Sequence, residues 1–226
     1  MKQLLRVMAL AALIVGGVIV MPKAPPAWAS PSDRDAGLLW QDSSGPKGER
    51  DPSPLPLYKA VFSHDAQRVA ATLDRGVSAN AVLYPHRWSA LMVAAAYNDH
   101  PIADLLIRHG ANLNYVSDDP VRPTPLATAL AYGRFYPNID RPDFAMFHHL
   151  LKSGADLNVE FGDHEDIAIF AATFGQLKIV NELLDRGYHR DLPQLRQVLE
   201  IRHVDPSLQA DKQHAIEKID RILSKK

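Results

Sequence analysis

From residue 54 onward the apolar positions keep helical spacing, and they do so in a block that recurs. Four times an amphipathic run ends on a glycine: Leu73-Asp74-Arg75-Gly76, Ile107-Arg108-His109-Gly110, Leu151-Lys152-Ser153-Gly154 and Leu184-Asp185-Arg186-Gly187. That is where a helix wants a left-handed residue, which glycine adopts without strain. Leu57, Leu91, Leu126 and Ala168 lie 19, 19, 28 and 19 residues before these glycines. Small residues follow three or four positions on, at Ala60, Ala94-Ala95, Ala129 and Ala171-Ala172, which lets two helices approach closely. An asparagine follows the first three glycines by four residues, at Asn80, Asn114 and Asn158, a type suited to turn geometry. The pattern predicts helix–turn–helix units over 54–86, 87–120, 121–164 and 165–190. One such unit cannot bury its apolar face alone, so stacked units share a core.

This block resembles the ankyrin repeat, whose period is 33 residues and whose signature opens T-P-L-H-x-A. Thr124-Pro125-Leu126 matches that opening best. His109-Gly110-Ala111-Asn112-Leu113-Asn114 and Ser153-Gly154-Ala155-Asp156-Leu157-Asn158 match the repeat's G-A-D-V-N end. The resemblance covers about residues 54–190 and implies an all-α repeat fold, a solenoid of about four helix–turn–helix repeats. The departures are specific. Tyr58, Met92 and Ala127 stand where the family has His, so that polar tie between repeats is missing. The fourth unit lacks Thr-Pro. The third carries an insertion, Gly133 to Asp143, whose glycine, prolines and asparagine forbid a continuing helix.

Residues 191–226 read as a helical cap. Asp191 and Pro193 open one helix through about Ile201. Asp205-Pro206 opens a second, an N-cap followed by proline at the first helical position.

The other end of the chain reads differently. Lys2 and Arg6 precede an unbroken apolar run over 7–21, and Ala27-Trp28-Ala29 places small residues before Ser30. That is the layout of a secretory signal cleaved after Ala29. Fifteen apolar residues are short for a bilayer, which needs about 20, and an uncleaved anchor is the alternative. Residues 30–53 form a Pro-rich linker whose only apolar cluster is Leu38-Leu39-Trp40, expected to pack on the first helix pair. Eight of the 17 prolines fall between Pro22 and Pro56.

Composition narrows the function. The chain has no cysteine, which excludes disulfides, a cysteine nucleophile and Cys-ligated zinc. Export without cysteine points to a bacterial periplasm. The leader holds Lys2, Arg6 and Lys23 and no acid, so the 25 basic residues fall to 22 against 26 acidic ones in the mature chain. No basic footprint marks a nucleic-acid partner. The expectation is a binding module, not an enzyme, with no cofactor and no metal. Ser63-His64-Asp65 is contiguous, unlike a catalytic triad. His148 and His149 are helix neighbours pointing about 100° apart.

By the resemblance, a protein partner meets the hairpin fingers and the exposed end of each first helix. The latter slots hold Phe62-Ser63, Ala96-Tyr97, Ala131-Tyr132 and Thr173-Phe174, an aromatic in every pair. Tyr and Trp dominate binding hot spots, but rings there could instead pack under neighbouring fingers. The fingers add His86, Trp88, Asp163 and Glu165, and the insertion adds Phe135 and Tyr136. The expected partner is a periplasmic enzyme or toxin. Immunity against a toxic hydrolase and a membrane-tethered envelope scaffold are the alternatives.

Overall fold

The computed structural model describes residues 55–83, 87–118, 122–135, 143–162 and 165–225, and of residues 83 and 133–135 the backbone alone. The leader, the whole linker with its Leu38-Leu39-Trp40 cluster, and most of the insertion lie outside the described residues. The chain divides into two units, the first ending at Gly154 and the second running from Ala155.

The first unit contains three helix pairs: α1 (Leu55–Phe62) with α2 (Ala66–Asp74), α3 (Ala90–Ala96) with α4 (His100–Arg108), and α5 (Pro125–Phe135) with α6 (Ala145–Lys152). α1 packs on α3, α3 on α5, and α2 on α4. The second unit pairs α7 (Ile167–Thr173) with α8 (Leu177–Asp185). α9 (Leu192–Ile201) packs on α7, and α10 (Gln209–Leu223) packs on α8 and α9. Among the described residues no helix is long and apolar enough to cross a membrane.

Local chemistry sets these boundaries. Ser89 Oγ accepts from Met92 N (3.2 Å) to cap α3, and Thr124 Oγ1 accepts from Ala127 N (3.1 Å) at the start of α5. Asp65 caps α2 and Asp99 caps α4, each accepting the amide three residues on. These side chains satisfy donors that a helix start leaves orphaned. At the far end of each second helix Gly76, Gly110, Gly154 and Gly187 adopt φ of +80 to +97°. Their amides bond back to Leu73, Ile107, Leu151 and Leu184, as the sequence pattern requires.

The asparagine after the glycine does more than turn the chain. Asn80 Nδ2 donates to Gly110 O (2.9 Å), and Asn80 Oδ1 accepts from Asn112 N (2.6 Å). It therefore ties its own turn to the equivalent turn of the next pair. Asn158 Oδ1 accepts from His189 N (3.1 Å) in the same register of the second unit. Asn80→Ala removes both bonds at an exposed site. The expected cost is about 1 kcal/mol, read as a lower urea midpoint with unchanged slope.

Two expectations need correction. The insertion does not end the third first-helix at Gly133: α5 continues to Phe135. Glycine inside a helix costs only about 1 kcal/mol, and the first proline comes at Pro137. Nor is the tie at the first His position missing. The buried Tyr58 hydroxyl reaches the carbonyls of Ala81 and Trp88, so a longer side chain bridges helix and finger. The fold is mostly helical, consistent with an all-α repeat, and carries one short hairpin. The first finger pairs β1 (Val82–Leu83) antiparallel with β2 (Trp88–Ser89), in register Val82↔Ser89 and Leu83↔Trp88.

Candidate functional site

The turns between paired helices set out the candidate residues. His64 and Asn98 take left-handed backbone at equivalent positions (φ 54° and 55°), and Gly175 does so in the second unit (φ 70°). The residue beside each turn is thereby presented at the end of its first helix.

In the first unit the rings form a chain of contacts. Phe62 lies 6.1 Å from Tyr97, edge to face, and 6.5 Å from Tyr58. His64 stands 4.8 Å from the Tyr97 ring, also edge to face, with Nδ1 2.9 Å from Asp99 Oδ2. Trp88 meets Tyr132 at 6.5 Å and 89°. Edge-to-face geometry sets the positive ring edge on the negative face. Tyr97, Tyr132 and Trp88 are half-buried, whereas Phe62 is only 8% exposed. Phe62 therefore supports Tyr97 from beneath. The Tyr132 phenol is pushed up to about 12, by burial first and then by the neighbouring Tyr97. Its hydroxyl keeps its proton at any physiological pH and is a standing donor.

The fingers are cross-linked. Tyr115 Oη donates to Arg87 O (2.8 Å), and the Arg87 guanidinium lies 2.6 Å from the Asp118 carboxylate. These bonds hold the base of Trp88's finger against the next one. Asp143, the last residue of the insertion, accepts from Asn98 Nδ2 and from Ala145 N, each at 2.9 Å. It ties the second turn to the start of α6. His86, Tyr136 and Asp163 lie outside the described residues, as does the Phe135 side chain.

In the second unit Phe174 is half-buried and meets Phe170 edge to face at 4.7 Å, with Phe170 5.9 Å from Phe161. Glu165 is 5% exposed, and its backbone forms a two-bond bridge with Phe161 (2.9 Å each). It is not an exposed acid on a finger tip, because that bridge turns its residue inward.

Two residues gained importance only in three dimensions. Asp166 caps α7, accepting from Ala168 N and Ile169 N (3.0 Å each), and its other oxygen accepts from Tyr188 Oη at 2.5 Å. Tyr188 Oη also accepts from Asp191 N (3.2 Å). Burial, the largest influence, raises the Asp166 carboxyl above its ordinary value, while these hydrogen bonds oppose the shift. Burial and the adjacent Asp166 push the Tyr188 phenol far up. A signal existed: Val77, Ala111 and Ala155 follow the other glycines, and a bulky Tyr188 follows the fourth. Arg202 is the second. It donates to Thr173 O beside Gly175, and its half-buried guanidinium is held below its usual value by desolvation.

Among the described residues the histidines do not converge into catalytic or metal geometry. Ser63 Oγ donates to Lys59 O (2.7 Å), turned to its own helix while His64 faces Asp99. His149 Nε2 lies 2.9 Å from Asp104 Oδ1 but out of line for a hydrogen bond, and the His148 ring rests against Phe147. Among the described residues no three His, Asp or Glu side chains converge for a metal ion.

Paired helices in a fixed register, ending on left-handed glycines and joined through a short β-finger, define a helical-hairpin repeat protein. Residues 86–118 match the ankyrin-repeat family model, so this segment is an ankyrin repeat. Such repeats mediate binding to other proteins. No curated protein matches the chain.

Proposed function

We propose that this is an exported protein-binding module that acts in the periplasm on one enzyme, as its accessory or inhibitory partner. The observation that carries the binding reading is the half-buried aromatic row of the first unit, Tyr97, Tyr132 and Trp88, mounted on Phe62 and on cross-linked fingers. Rigid aromatics pre-set in position lose little entropy on docking and make typical hot spots. Phe174, over Phe170 in the second unit, is a separate contact of the same kind. On this reading residues 54–190 hold four repeats, and 191–226 cap the last of them. The packing of α9 on α7 and of α10 on α8 supports that cap. Export rests on the leader pattern of residues 1–29, with cleavage after Ala29.

The test is co-purification from a periplasmic extract with the full chain as bait. A Tyr97→Ala/Tyr132→Ala variant is expected to lose its bound enzyme by about 30-fold or more, two hot-spot residues being removed. Retention at wild-type level by a folded variant moves the site elsewhere. Assay of the captured enzyme with and without the chain separates activation from inhibition, and an inhibited toxic hydrolase would establish an immunity role. N-terminal sequencing of the exported protein reads Ser30 if the leader is cut; an intact Met1 would make the chain a tethered scaffold.

A further inference from the structure

The first helix pair has an outer edge with no described neighbour. Its character shows by comparison with the second pair, 34 residues on. Val93, Ile102 and Leu106 are all buried there. The equivalent positions of the first pair hold Lys59, Arg68 and Thr72, and Lys59 and Arg68 are exposed. Between α1 and α2 this edge keeps a hollow of about 440 Å³, lined by Pro56, Lys59, Ala60, Arg68, Ala71 and Thr72, with Arg75 at its rim. The floor is small and apolar and the rim is cationic. Arg68 meets Asp65 at 3.2 Å, and Arg75 donates to Thr72 Oγ1 at 3.3 Å. Asp65 is thus the one carboxylate that pairs with these three cations among the described residues.

We propose that this hollow is filled by the chain's own linker, with Leu38, Leu39 and Trp40 seated on Ala60, Ala71 and Thr72. The flanking Asp33, Asp35 and Asp42 would then meet Lys59, Arg68 and Arg75. Three features carry it. The linker's only apolar cluster lies within an acidic stretch, where Arg34 is the single cation between residues 33 and 42. Its charge is opposite to that of the rim. Fourteen residues lie between Trp40 and Leu55, a reach of up to roughly 50 Å, against a helix only about 12 Å long. Last, an end repeat needs its outer face covered or made polar; here the rim is polar and the floor is not, which fits an amphipathic strap better than another repeat.

The experiment is hydrogen exchange on the full chain, read over residues 55–76. Leu38→Ala/Leu39→Ala/Trp40→Ala is expected to speed exchange there by about tenfold or more, as buried aromatic and leucine area is lost. Lys59→Glu, at a residue with no acidic partner among those described, is expected to speed exchange several-fold. That effect should disappear when Asp33, Asp35 and Asp42 are all Asn. Exchange over 55–76 that ignores the triple alanine change overturns the proposal. So does protection that rises with protein concentration, which would assign the hollow to a second copy, or protection seen only when another protein is added.

Discussion

Asp166→Ala is expected to destabilise the second unit by roughly 3 kcal/mol. Its carboxylate caps two amides of α7, and losing such a cap costs about 1 kcal/mol. It also accepts the Tyr188 hydroxyl. Tyr188 is 1% exposed, so the hydroxyl left behind finds no water, a further cost of about 1–3 kcal/mol. Tyr188→Phe isolates that second part and is expected to cost about half as much. Urea unfolding with hydrogen exchange read over residues 165–200 measures both, and equal losses for the two variants would contradict the division.

The same carboxyl gives a pH dependence with a definite sign. Burial raises its pKa in the folded protein above the unfolded value. The folded state therefore holds the proton more tightly. The stabilisation from this group is complete below the ordinary carboxylate range, near pH 4, and is lost as pH rises through the raised value. Asp166→Asn keeps an oxygen for the cap and cannot titrate. The stability of the wild type relative to this variant is expected to fall as pH is raised from about 4 toward neutrality. A difference that is flat with pH would show that the carboxyl is not shifted upward.

The second large effect is expected at Leu91. α3 is buried along its whole length, Ala90 to Ala96, between α1 and α5, and Leu91 is fully buried. Leu91→Ala leaves a cavity that flanking helices, held by turns on both sides, cannot close. The expected cost is about 3–4 kcal/mol. A unit of roughly 100 residues has only about 5–15 kcal/mol in total, so the first unit would unfold at a much lower urea concentration. Neighbour-to-neighbour coupling predicts that α1–α2 and α5–α6 lose protection together with α3–α4. A loss under about 1 kcal/mol would mean that the inner helices are not tightly packed.

Why some of this was legible in sequence follows from the range of the forces. Gly76, Gly110, Gly154 and Gly187 adopt positive φ because of a constraint within one turn. Asp191 caps α9 through an amide three residues away. Such local rules recur at each repeat and can be read by lining the repeats up. The candidate site was legible only as positions. Tyr97 and Tyr132 could be assigned to one slot by counting, but counting could not show that Phe62 lies beneath Tyr97. Glu165 looked like a solvated finger acid until its bridge with Phe161 turned it inward. The proline and glycine content of the insertion overstated how early α5 must stop, since glycine weakens a helix without ending it.

The amino-acid order by itself determined the helix pairs and their left-handed ends, both consequences of contacts within a few residues. Only the tertiary structure decided which polar groups are buried and which partners satisfy them. Tyr58 reaches carbonyls 23 and 30 residues away, Asn80 ties turns about 30 residues apart, and Tyr188 meets Asp166 22 residues back. Each of these bonds joins groups that are neighbours only after the helices pack, and for the buried Tyr58 and Tyr188 burial makes leaving them unpaired costly.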